Sequence, residues 1–136
     1  MKNLKPDFIN YKSFSEKSGT LVPFYINKSF PKFFKLKRIF LVYGKKNYLR
    51  ADHAHKKCSQ IIIPIKGNTK ITTYHKKKKK IFFLKPSKNK ALFVPIHTWL
   101  NIKFFKNNDS ILTLCNYKYK KKEYILNFYD FKKKYY

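Results

Sequence analysis

A chain of 136 residues fits one domain and leaves little room for a second. Its 43% hydrophobic and 19% aromatic content supplies a core and excludes a disordered basic tail, and no apolar run is long enough for a bilayer span. The 33 basic residues stand against six acids, and the net charge of +27 attracts polyanions without specificity. Only Arg38 and Arg50 among them are arginine, the residue that reads phosphates and bases with a bidentate fork. A specific nucleic-acid partner is therefore not expected, and the lysine runs read as solvated surface. Met1 to Asn10 lacks an apolar signal core, and a cytoplasmic protein is expected. Two cysteines, Cys58 and Cys115, make neither a disulfide framework nor a zinc site by themselves.

In chain order, short segments rich in Ile, Phe, Val and Tyr predict strands at Thr20–Ile26, Lys37–Tyr43, Gln60–Lys66, Thr69–His75, Lys80–Leu84, Ala91–Val94, Trp99–Phe105 and Ser110–Asn116. Turn signals separate them, among them Ser18-Gly19, Lys66-Gly67-Asn68 and Lys106-Asn107-Asn108-Asp109. The run Lys76–Lys80 falls between two strands, where a hairpin loop meets water. Tyr124, Ile125, Phe128 and Phe131 have helical spacing and predict a helical turn or two in the tail from Lys120 to Tyr136. Some eight short strands with regular turns predict an all-β double-sheet jelly roll or barrel.

Two histidines form the informative constellation. Strand alternation puts His53 and His55 on one face, which in a small barrel is the cavity. A bare His-x-His also fits two surface histidines on an edge strand; Arg50 before it and Gln60 and Gly67 after it favour catalysis. The spacing His-x-His, four residues, Gln60, six residues, Gly67 resembles the first motif of the cupin barrels. In metal-binding cupins the Gln60 position is usually glutamate, and the spacing of the second motif puts the third imidazole at Leu100, with His97 nearby at a turn. An amide and an aliphatic side chain in those places leave two imidazoles, a weak metal site. No metal is expected, and the pair is free to move protons near neutral pH.

A closer resemblance follows from Arg-x-x-His-Ala-His-Lys and Gln60. With Gly19-Thr20-Leu21, Lys37-Arg38-Ile39-Phe40, Val94-Pro95 with Trp99, Ser110 to Leu114, and Glu123-Tyr124-Ile125 to Phe131, the chain resembles the WxcM-like cupins, more narrowly the dTDP-sugar 3,4-ketoisomerases. The resemblance implies one cupin jelly-roll domain over residues 1–136 with a short C-terminal helical tail. It implies a cytoplasmic homodimer that exchanges N-terminal strands and needs no metal or organic cofactor. The implied reaction converts dTDP-4-keto-6-deoxy-D-glucose to a 3-keto isomer, for a 3-amino-3,6-dideoxy sugar of surface glycans. His55 is then the base at C3 and His53 its partner at the oxygens or C4, or the reverse. Arg38 and Arg50 meet phosphate or sugar, and Gln60 lines the cavity floor. Relatives carry a tyrosine after the Lys-Arg-Val triplet where this chain has Phe40 and Leu41. Tyr43 takes that place only if the strand register shifts, and Tyr25 is the other candidate phenol. Trp99 stacks on the nucleotide or fills the barrel. Ala51 stands where the family has glycine. The alternatives are a nucleotide-sugar epimerase on the same fold and a non-enzymatic sugar- or nucleic-acid-binding cupin.

Overall fold

The computed structural model describes residues 4–25 and 28–136. Twelve strands run in the order β1 (Asp7–Asn10), β2 (Phe14–Glu16), β3 (Gly19–Leu21), β4 (Arg38–Tyr43), β5 (Leu49–His55), β6 (Gln60–Lys66), β7 (Thr69–His75), β8 (Lys78–Leu84), β9 (Lys90–Val94), β10 (Trp99–Phe104), β11 (Ser110–Cys115) and β12 (Tyr124–Ile125), followed by helix α1 (Phe128–Tyr135). One sheet has the order β1-β9-β6-β11-β4, the other β12-β5-β10-β7-β8, and every pairing is antiparallel. This is the expected all-β jelly roll with a short C-terminal helix.

The strands form where side chains alternate. In β7, Thr69, Ile71, Thr73 and His75 are buried, and the residues between them are half-exposed. The inward faces meet in one apolar cluster that includes Ile62 and Ile111 from the first sheet and Ile71, Leu100 and Ile102 from the second. Gly67 ends β6 with φ +72°, and a Cβ there would stand 1.9 Å from Asp109 Oδ1. Asp109 uses that space to accept from the backbone N–H groups of Asn68 (3.3 Å) and Lys106 (3.1 Å), fastening two turns at one end of the barrel.

Several elements differ from expectation. Where a strand over Thr20–Ile26 is predicted, β3 stops at Leu21 and pairs only with β2; Ile26 lies outside the described residues. The β2–β3 hairpin is exposed and joins neither sheet. Strands β1 and β12 are too short for a periodic signal of their own. In the tail, Tyr124 and Ile125 form β12 against β5, so only the later part of the apolar spacing is helical. Asn127 caps α1 by accepting from Asp130 N at 3.0 Å, and Phe131 docks among Ala54, Trp99 and Ile125.

Candidate active site

The site is built on β5. Ala51 (φ +64°) and Asp52 (φ +57°) both adopt the left-handed conformation, which costs a non-glycine residue of order 1 kcal/mol. The partner strand β10 shifts register at this point: Leu100 faces His53 and Asn101 faces Ala51, leaving Asp52 as the extra residue. The bulge re-aims the strand just before the histidines. Beyond it, regular alternation sets His53 and His55 side by side, with ring centroids 4.8 Å apart and planes at 88°.

Hydrogen bonds fix both rings in a row. His53 Nδ1 lies 2.9 Å from the Ala51 carbonyl oxygen, which can only accept. His53 Nε2 and His55 Nε2 are 3.1 Å apart. His55 Nδ1 meets Glu123 Oε1. The second carboxylate oxygen accepts from the backbone N–H groups of Lys57 (3.2 Å) and Cys58 (3.3 Å), so the turn after β5 orients Glu123. Burial pushes the His53 imidazole down to about 4, and the neighbouring His55 adds to the shift. Burial also lowers His55, against the pull of the Glu123 carboxylate.

Next to Glu123, Tyr124 covers both imidazoles, its ring centroid 5.0 Å from His53 and 4.4 Å from His55. Its hydroxyl accepts from an Arg38 guanidinium N–H at 3.4 Å. The same Arg38 nitrogen lies 3.7 Å from Cys115 Sγ, which Gln60 Nε2 approaches at 3.7 Å. A hydrogen bond from Cys58, then those from Arg38 and Gln60, pull the Cys115 thiol down to about 6 against the effect of burial. Thus Arg38, in a chain short of acids, pairs with a sulfur and a phenol. Its Nε is buried and has no partner among the described residues.

These groups border a cavity of about 80 Å³ between the sheets. Phe40, Ile62, Leu100 and Ile102 give it hydrocarbon walls, while Arg50, His53 and Gln60 are its polar lining. His53 is the half-buried ring on that wall; His55, 5% exposed, sits behind it. A ring pair over a partly apolar pocket, joined to a carboxylate behind and bordered by a guanidinium, is equipped to move protons on an oxygen-rich ligand.

Residues 4–135 match the family described as WxcM-like, C-terminal (FdtA). The chain belongs to that family. A TDP-4-oxo-6-deoxy-alpha-D-glucose-3,4-oxoisomerase of Aneurinibacillus thermoaerophilus is 27% identical over 126 residues, 92% of this chain and 88% of that protein. A 3,4-ketoisomerase from Helicobacter canadensis superposes with a TM-score of 0.86 at 26% identity, covering 95% of this chain and 96% of the other. A variant of a 3,4-ketoisomerase from Thermoanaerobacterium thermosaccharolyticum, solved with TDP-4-keto-6-deoxyglucose, superposes at 0.85 with 25% identity, over 93% of this chain and 91% of that one.

Within this WxcM-like site, five of the expected residues converge: His53, Arg50 and Gln60 line the cavity, His55 stands behind His53, and Arg38 adjoins it through Tyr124 and Gln60's cysteine partner. Gln60 donates to Cys115 at 3.7 Å. Three expected residues stand elsewhere. Tyr43 pairs with Ser110 in unbroken register, so it shares the outer face of β4 with Ile39 and Leu41 and is 67% exposed. Tyr25 follows the β2–β3 hairpin and is 61% exposed. Trp99 is 2% exposed, packed on Phe128 and Phe131, with its indole N–H shared between Asp52 (3.3 Å) and Asn101 (3.2 Å); it fills the seam under α1 and offers no open ring face.

A cupin metal set does not fit these residues. Leu100, the third-ligand position, is buried hydrocarbon beside His53. His97 stacks on Tyr135 at 4.1 Å, and its backbone N–H donates to the His55 carbonyl on β5. A different donor trio, His55, Cys58 and Glu123, has its ligand atoms within 4.8 Å of one another. There, however, His55 and Glu123 spend their facing atoms on each other, and a hydrogen bond to Cys115 with burial drives the Cys58 thiol up, away from the thiolate that binds metal.

Sequence reasoning missed Glu123, Tyr124 and Cys115 as site residues. One signal was available: Glu123 is one of six acids in a chain of 33 basic residues, as unusual as the two arginines.

Proposed function

We propose that this chain is a TDP-sugar 3,4-ketoisomerase that moves the carbonyl of TDP-4-keto-6-deoxyglucose from C4 to C3. The observation that carries the reading is the 3.1 Å contact between Nε2 of His53, which lines the cavity, and Nε2 of His55 behind it. A C4 ketone acidifies the C3 hydrogen. An imidazole takes that proton, the electrons of the C–H bond form a C3–C4 enediol, and a proton added to C4 leaves the carbonyl at C3 and a hydroxyl at C4. No atom is gained or lost, and no redox partner is consumed. What the protein supplies is proton transfer and stabilisation of negative charge growing on oxygen.

His53, the ring on the cavity wall, meets the sugar, and His55 exchanges protons with it from behind. Lowered imidazole basicity keeps His53 neutral and ready at pH 7. The unpartnered Nε–H of Arg38 is a donor for a sugar or enediolate oxygen. Arg50, exposed at the cavity and without an ion pair among the described residues, suits the pyrophosphate. A cavity of 80 Å³ takes part of a hexose, so the nucleotide lies outside it, in the field of the surplus lysines.

The same reading includes a cytoplasmic homodimer of one cupin domain over residues 1–136 and a 3-keto product destined for amination. The apolar outer face of edge strand β4 (Ile39, Leu41, Tyr43) and the unattached β2–β3 hairpin with Phe14 and Leu21 support strand exchange with a second copy.

Incubation with TDP-4-keto-6-deoxyglucose, followed by carbon-13 NMR, tests the reaction. The ketone resonance is expected to pass from C4 to C3. An inverted centre with the ketone still at C4 would instead assign the fold to epimerisation.

A further inference from the structure

The row of hydrogen bonds through the two rings has a proton count that their separate chemistry does not reveal. Ala51 O accepts, so His53 carries a proton on Nδ1. The Nε2–Nε2 contact at 3.1 Å needs one proton between two lone pairs, and the His55–Glu123 contact needs another. Three hydrogen bonds need three protons. Two neutral imidazoles carry only two, and an ionised carboxylate carries none. With two protons, either the two Nε2 lone pairs face each other, or the Nδ1 lone pair of His55 faces a carboxylate oxygen. Neither is a hydrogen bond.

We propose that Glu123 is the positioning residue of the histidine pair: its carboxylate retains a third proton in the row and so keeps the bond between the two Nε2 atoms occupied and ready to move. The proposal rests on the isomerase reading above. The triad of His53, His55 and Glu123 then has no net charge, which suits a site where His55 is 5% and Glu123 likewise 5% exposed. Burial denies a charge to an isolated imidazolium, whereas a proton shared between His55 and Glu123 stays in place because the carboxylate balances it. When His53 takes the shared proton on Nε2 and passes it from that same atom to the sugar, the proton at the Glu123 contact settles on His55 Nδ1. His55 thus remains a neutral imidazole throughout instead of becoming an imidazolate. The backbone N–H groups of Lys57 and Cys58 hold the second carboxylate oxygen, so Glu123 cannot turn away. Tyr124 packs against both rings.

Glu123→Gln tests the proposal by steric identity. A glutamine fits the same partners: its carbonyl accepts from Lys57 and Cys58, and its amide donates to His55 Nδ1. The bond between the two Nε2 atoms survives, but an amide cannot surrender its proton. The expected result is a fall in kcat of about 10³-fold, within the range for a lost proton-transfer group, with KM within threefold. Nitrogen-15 NMR of the native protein gives a readout that needs no variant: a proton coupled to both Nε2 nitrogens, together with protonated His53 Nδ1. Turnover of Glu123→Gln within threefold of the parent, an equal loss in KM, or native rings with both Nε2 atoms unprotonated would each overturn the role of Glu123. His53→Asn separates the two levels. If it abolishes turnover while Glu123→Gln does not, Glu123 alone loses its role; if it too turns over normally, the isomerase mechanism itself fails.

Discussion

Two regions of the barrel interior hold their side chains by different means. Around Ile71, Leu84, Leu92 and Ile111 the sheets meet through hydrocarbon, with no direction to the contacts. At the β5–β12 corner, His53, His55, Glu123, Arg38 and Cys115 are held by hydrogen bonds of defined direction. The first region supplies stability and a dry environment. The second spends some of that stability on placement, since each of its polar groups is buried at a cost. The difference teaches that the site depends on the core beyond mechanical support: burial is the largest cause of the lowered histidine basicity. Substitutions should therefore sort into those that lower turnover without touching stability and those that do the opposite.

The largest effect is expected at the rings. His53→Asn should lower kcat by at least 10³-fold, about 4 kcal/mol of transition-state stabilisation, with the melting temperature nearly unchanged. Stopped turnover assays and a thermal melt on the same sample check both halves. Next, Ile71→Ala removes a fully buried side chain from the hydrocarbon region. A loss of 2–4 kcal/mol in denaturant unfolding is expected, with kcat of the folded fraction within twofold of the parent. A large drop in kcat there would erase the proposed division.

Arg38→Lys keeps the charge but loses the planar guanidinium, whose one terminal nitrogen meets Tyr124 and Cys115 while its Nε–H stays free for a ligand. A roughly tenfold rise in KM, about 1.4 kcal/mol, is expected in steady-state kinetics. The pH profile sharpens the comparison further. Both histidines are shifted down, so the basic form persists below the ordinary imidazole range and is lost only as pH falls through the lowered values. The acid limb of kcat/KM should accordingly lie below pH 6, whereas a limb at or above 6.5 would mean that the rings are hydrated. The smallest effect is at the bulge: Ala51→Gly relieves a left-handed alanine and should stabilise by about 0.5–1 kcal/mol in urea titration, leaving turnover intact.

Much of the architecture was legible because a strand half-buried in a small barrel must alternate, and β4, β7 and β10 do. His53 and His55 were legible for the same reason, as two side chains on one face. Glu123 was not. It reaches His55 from 68 residues away on a single turn of 3-10 helix, and no local period marks a long-range hydrogen bond. Tyr124 was assigned to the helical tail by its spacing to Phe128, yet edge pairing with β5 drew it into a strand. Tyr43 shows the converse. Alternation alone put it on the outer face, and the register of β4 against β11 has no shift to bring it inward. Trp99 followed the rule for a lone tryptophan and filled a seam. The motif spacing marks Leu100 as the third-ligand position, and the strand pairing sets it opposite His53 as a hydrocarbon side chain.

Isomerisation in heavy water addresses the central claim most directly, because it follows the hydrogen itself. Proton transfer through the His53–His55 pair predicts a 3-keto product carrying deuterium on C4, taken from exchangeable ring positions. A 3-keto product whose C4 hydrogen came wholly from C3 without solvent label, as in a direct shift from carbon to carbon, would contradict it.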